Sequence, residues 1–106
     1  MKITHIDTFP VQVPINPQRA IKSGRGYHTT SPFLMLKVHT DEGIYGLGEV
    51  PCTPGWSGED NITAAHFIQK VLAPQLIGED PTQIECLTNK MRAVLANNPF
   101  TRSGVE

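Results

Sequence analysis

The chain has 106 residues, 39% of them hydrophobic, which suits one domain burying roughly two thirds of its unfolded surface. Nine Lys and Arg against ten Asp and Glu leave a formal charge of -1, so no basic excess marks the chain for nucleic acid or an anionic membrane. Two cysteines, Cys52 and Cys86, are too few for a disulfide scaffold and stand in no zinc-type spacing, so they read as reduced thiols of a cytoplasmic protein.

Met1 to Asp7 holds one base and then alternates, where an export signal would run apolar, and no stretch nears the roughly 20 apolar residues that span a bilayer. Ile3, Ile6 and Phe9, followed by Val11 and Val13 around Gln12, predict a half-buried strand ending at Pro14. Pro10 places it at a sheet edge or a bulge. From Ile15 to Pro32 the alternation fails, and Pro17, Gly24, Gly26 and Pro32 punctuate a polar loop too long for a compact domain without a purpose. Phe33 to Thr40 and Gly43 to Val50 predict two further strands joined through Asp41-Glu42, with Gly43 supplying the positive φ of a tight hairpin. Gly46 and Gly48 share a face of the last strand, where absent side chains suit the close approach of another element. Pro51 to Gly58 is a second loop.

The period then becomes helical. Ala64, Phe67, Ile68, Val71 and Leu72 form a stripe at i, i+3, i+4, i+7 and i+8, with Pro74 expected to end or kink the helix. Asp80-Pro81-Thr82-Gln83 has the order of a cap, a first-turn proline and a capping-box Gln, opening a helix from about Pro81 to Ala96 that Asn97-Asn98-Pro99 stops. Ser103 to Glu106 resembles the capping box of one more helix, which suggests a polypeptide continuing past Glu106. Strands first and helices second is the α+β order.

No set of residues converges for general acid-base or metal chemistry. Glu59-Asp60 and Glu79-Asp80 suit helix starts, while His5, His39 and His66 show no paired ligand spacing. The candidate binding residues therefore lie in the loops. Arg19, Lys22, Arg25, Tyr27 and His28 in the first loop either grip the carboxylate of a small ligand or form a solvated basic surface. Trp56 in the second either plugs the core or packs on a ligand.

Two stretches add a resemblance: Thr40-Asp41-Glu42-Gly43-Ile44-Tyr45-Gly46-Leu47-Gly48-Glu49, and Asn98-Pro99-Phe100-Thr101-Arg102-Ser103-Gly104-Val105-Glu106. Together they resemble the mandelate racemase and muconate lactonizing branch of the enolase superfamily, nearer its muconate side, over nearly the whole chain. Thr101 departs from the smaller residue common there. The resemblance implies a three-stranded antiparallel meander followed by a small helical bundle, as an amino-terminal capping domain over residues 1–106. It further implies a (β/α) barrel absent from this chain, holding the catalytic groups and Mg2+, so that no catalytic or metal residue is expected here. The complete protein would be an isomerase or lyase that removes a proton α to the carboxylate of a small substrate, and a homo-oligomer. On this view the two loops, with Trp56, Tyr27, His28, Arg25, Lys22 and Arg19, shape substrate choice. The competing expectations are a stand-alone small-molecule binding or regulatory module, which would favour β-α-β alternation, and a dimerisation domain, which would need an exposed apolar face.

Overall fold

A computed structural model describes the backbone of residues 1–14, 21–23, 26–28, 30–52 and 58–106, and the side chains of 1–12, 32–52 and 58–106. Among the described residues five strands come first: β1 (Ile3–Pro14), β2 (Ile21–Ser23), β3 (Gly26–His28), β4 (Thr30–Thr40) and β5 (Tyr45–Pro51). β1, β4 and β5 make an antiparallel sheet in that spatial order, with β4 central, and β2 pairs with β3 in a separate ribbon. The stretch expected as one loop from Ile15 to Pro32 thus contains a small hairpin, and its last residues already belong to β4. Short runs broken by glycine carry too little alternation to announce such a ribbon.

β1 is an edge strand, as Pro10 requires, and its pairing slips between Ile3 and His5. That bulge explains an odd spacing in the sequence. Ile3 and Ile6 are both buried although three apart, because the extra residue returns the pleat to the same face. Phe9 lies beyond the bulge on the opposite face and is half exposed. The edge is covered where it begins: Ile3 N–H donates to Glu79 O at 2.9 Å and Gly78 N–H to Ile3 O at 2.8 Å. The β4–β5 hairpin turns as expected, with Gly43 at φ 77° and the Thr40 N–H donating to Ile44 O at 3.2 Å.

The helical half runs through α1 (Asn61–Phe67), a π turn (Ile68–Leu72) and α2 (Ala73–Leu76), then α3 (Ile84–Val94) and α4 (Pro99–Val105). Pro74 does not end this run, which continues into α2 through the π turn. A proline ring crowds the carbonyl four residues back, and the widened turn before it, closed by Ala73 N–H on Ile68 O, makes room. Gly78, at φ 88°, follows the end of α2. α3 starts later than expected: Asp80 bonds Thr82 N–H at 2.9 Å and the Thr82 hydroxyl at 2.8 Å, closing an Asx turn, and Gln83 takes the cap position without a side-chain bond. Ser103 is no cap either, since α4 already begins at Pro99.

The inward face of the sheet (Ile6, Leu34, Leu36, Val50) meets Ala64, Ile68, Leu72, Leu76, Leu87 and Met91 in one core. Each large aliphatic buried there contributes roughly 1.5–3 kcal/mol before entropy is subtracted. α4 lies against β5 where Gly48 meets Gly104, and a side chain at either would strike the other element. Gly46 faces open space, so close approach accounts for only one of the two glycines of that strand.

Candidate functional site

Strand pairing brings the bases of the two loops together. Pro14 pairs with Thr30 and Phe33 with Pro51, so the first loop leaves and returns at the end of the sheet where β5 delivers the second. Cys52 N–H donates to Pro32 O at 3.0 Å, tying the two bases. Burial, with Asp60 and Glu59 adding to it, pushes the Cys52 thiol up, so this buried sulfur is an inert core group. In the ribbon Lys22 pairs with Tyr27 and Ile21 with His28. Arg19, Arg25 and Trp56, and the side chains of Lys22, Tyr27 and His28, lie outside the described residues.

Where the second loop returns, Glu59 is 1% exposed, the most buried charged group among the described residues. Its Oε2 accepts from Thr101 N–H at 2.7 Å and from the Thr101 hydroxyl at 2.6 Å, and Oε1 accepts from Phe100 N–H at 3.2 Å. Glu59 therefore caps α4 across the chain, while the local cap residue, Asn98, makes no side-chain cap bond and sits in the left-handed region at φ 50°. Carboxylates complement helix starts, as expected for Glu59, but the helix is a distant one. The Thr101 hydroxyl gives the departure from the family pattern a purpose.

Asp60 behaves as its sequence position suggests. It caps α1, its Oδ1 accepting from Thr63 N–H at 2.6 Å, and that bond holds its carboxyl below the usual aspartate range. Asp60→Ala should cost about 1 kcal/mol at pH 7. Because the folded-state pKa is depressed, this stability is present above the unfolded value of about 3.9 and is lost as pH falls through the lower folded value. Urea unfolding of both proteins at pH 7 and near pH 3 checks it, the gap closing at the lower pH.

The histidines depart from expectation. His5 and His39 are cross-strand partners, and Asp7 Oδ2 lies 2.8 Å from His39 Nε2 and 3.8 Å from His5 Nε2. Spacing along one strand could not reveal a group assembled from two. A cavity of about 490 Å³ lies elsewhere, between the far end of the sheet and α3, walled by Leu36, Val38, Leu87 and Met91. It suits apolar packing and is a poor match for a carboxylate. No helix among the described residues is long and apolar enough to cross a membrane.

Comparison with known proteins completes the picture. The model of the mandelate racemase / muconate lactonizing enzyme N-terminal domain matches residues 4–106. The chain is 29% identical over 106 residues to the N-succinyl-L-Arg/Lys racemase of Bacillus cereus, covering 100% of this chain and 28% of that protein. It is likewise 29% identical over 108 residues to muconate cycloisomerase 1 of Rhodococcus opacus, covering 100% and 28%. The L-Ala-D/L-Glu epimerase structure from Bacillus subtilis superposes with a TM-score of 0.90 at 26% identity, covering 100% of this chain and 29% of that one. The chain thus spans 28% of the length of both curated relatives.

Proposed function

Since the chain belongs to the mandelate racemase / muconate lactonizing enzyme family by a match over residues 4–106, we propose that it is the capping, substrate-selecting domain of a larger enzyme of that family. The observation that carries this reading is the convergence of both loop bases on one end of the sheet. Loops delivered together can close over the mouth of a barrel, where such folds bind ligand at the carboxyl ends of their strands, and can exclude water from it.

The relatives named above are a racemase, a cycloisomerase and an epimerase, which supports an isomerase, or a lyase of the same family, acting on a small carboxylate-bearing substrate. Proton removal α to the carboxylate is assigned to residues beyond these 106. So is Mg2+, which takes near-octahedral oxygen ligands, whereas His5, Asp7 and His39 offer two imidazoles and one carboxylate and do not fit it. The cap supplies selection: in this reading Arg19, Lys22 and Arg25 hold the substrate carboxylate, and Tyr27, His28 and Trp56 shape the pocket around the rest.

Trp56→Ala in the complete enzyme tests this. As a lid residue Trp56 governs closure, so kcat/KM should fall roughly 10-fold or more with melting temperature and Mg2+ affinity unchanged. A core tryptophan would instead cost ~3–5 kcal/mol of stability and leave the kinetics of the folded fraction alone. That second outcome would reject the lid.

A further inference from the structure

The outward face of the sheet carries a cluster that the capping role does not use. We propose that His5, Asp7 and His39 form a binding site for a divalent transition-metal ion of the zinc class, bridging β1 and β4.

The site is built by the bulge in β1. The extra residue between Ile3 and His5 sends Ile3 into the core and aligns His5 opposite His39 on the outer face, and Asp7, two residues further on, projects from the same face. The two imidazoles stack with centroids 4.0 Å apart and planes within 9° of parallel, which sets their ring edges side by side. Both Nε2 atoms approach the same carboxylate oxygen, at 2.8 Å for His39 and 3.8 Å for His5. One ligand atom from each of the three residues lies within 4.8 Å of the others, and no second such group occurs among the described residues.

Those separations suit coordination. Ligand atoms about 2.0–2.1 Å from a tetrahedral ion stand roughly 3.3 Å from one another, so the observed 2.8 Å and 3.8 Å bracket the required edge and small side-chain rotations complete it. Two imidazole nitrogens and one carboxylate oxygen select zinc and its neighbours over magnesium or calcium. His5 and Asp7 are about half exposed, leaving a fourth position to water.

The surroundings fit as well. His5 Nδ1 lies 3.1 Å from Thr4 Oγ1; an Nδ1–H donated to that hydroxyl leaves the Nε2 lone pair free, which is how ligand imidazoles are usually oriented. Lys37 pairs with Asp7 across the strands and would compete for its carboxylate. Its Nζ instead sits 3.9 Å over the Tyr45 ring, whose face holds the ammonium, and no ion pair joins it to Asp7 among the described residues. Because the ligands come from both strands, the ion would fasten the first residues of the edge strand to the centre of the sheet.

The test titrates the chain with Zn2+ in the presence of millimolar Mg2+, by calorimetry and by imidazole 1H–15N correlation spectra. One Zn2+ should bind per chain with an affinity on the order of micromolar, shifting the His5 and His39 resonances and not that of His66. His39→Ala and Asp7→Asn should each weaken binding at least ~10-fold, and His66→Ala should leave it unchanged. His5→Gln, at the most exposed ligand, carries the comparison should His39→Ala fail to fold. No saturation by ~100 μM Zn2+, or unaltered affinity in His5→Gln, would overturn the assignment.

Discussion

Gly48→Ala should destabilise the fold by about 3 kcal/mol, at the upper end of overpacking effects, and lower the melting temperature of the chain by ~10–20 °C. A Cβ at Gly48 would overlap the carbonyl oxygen of Gly104 and press on Leu36 Cγ at 3.1 Å. The first obstacle is backbone, so no rotamer change relieves it, and α4 must move off β5. The reciprocal substitution, Gly104→Ala, meets Val50 Cγ2 at 2.5 Å and Glu49 O at 2.9 Å and should behave alike. Gly46→Ala supplies the control. With nothing within 4 Å of its Cβ, it should change stability by less than ~0.5 kcal/mol. Thermal unfolding followed by circular dichroism reads all three, and a Gly48→Ala protein melting within a few degrees of the parent would contradict the close approach.

Glu59→Ala should cost about 3 kcal/mol, for a different reason. Its carboxylate is the acceptor for Phe100 N–H, Thr101 N–H and the Thr101 hydroxyl, and truncation strands these donors at the buried start of α4. Leaving a buried donor unpaired costs ~1–3 kcal/mol, more when the lost partner was charged. Glu59→Gln keeps one carbonyl oxygen and should lose about half as much. Hydrogen exchange localises the effect: the amide of Thr101 should lose protection in Glu59→Ala well before the amides of α3 do. Equal loss across both helices would mean that Glu59 supports the core at large and is no dedicated cap.

These two contacts share a mechanical meaning. Glu59 stands where the second loop returns and Gly48 lies within β5, which delivers it, and each is fastened to α4. If the second loop acts as proposed, substitutions loosening α4 should change kcat/KM of the complete enzyme along with stability.

Much was legible in the order of the residues. Alternation located β1, the Asp-Glu-Gly turn located the β4–β5 hairpin, and the 3.6 period located both long helical stretches, because each is a pattern between near neighbours. The two quoted stretches were enough to identify the family, later matched over residues 4–106. The sequence also placed Asp60 at a helix start, where it caps α1 through a local contact spanning three residues.

What it could not decide were the contacts between residues far apart in the chain. Glu59 and Thr101 meet across 42 positions, and no local signal distinguishes an acid that caps the next helix from one that caps the last. Gly46 and Gly48 read alike in the strand, and only the placement of α4 separates the one with a neighbour from the one without. The π turn before Pro74 and the bulge before His5 are single-residue adjustments that the periodicity of side chains tolerates without trace. The bulge decided most. It turned Phe9 to the outer face, and it set His5 beside His39, joining side chains that the sequence holds 34 positions apart by numbering alone. Register is a property of two strands together, so the chemistry it assembles belongs to the tertiary structure and to neither strand by itself.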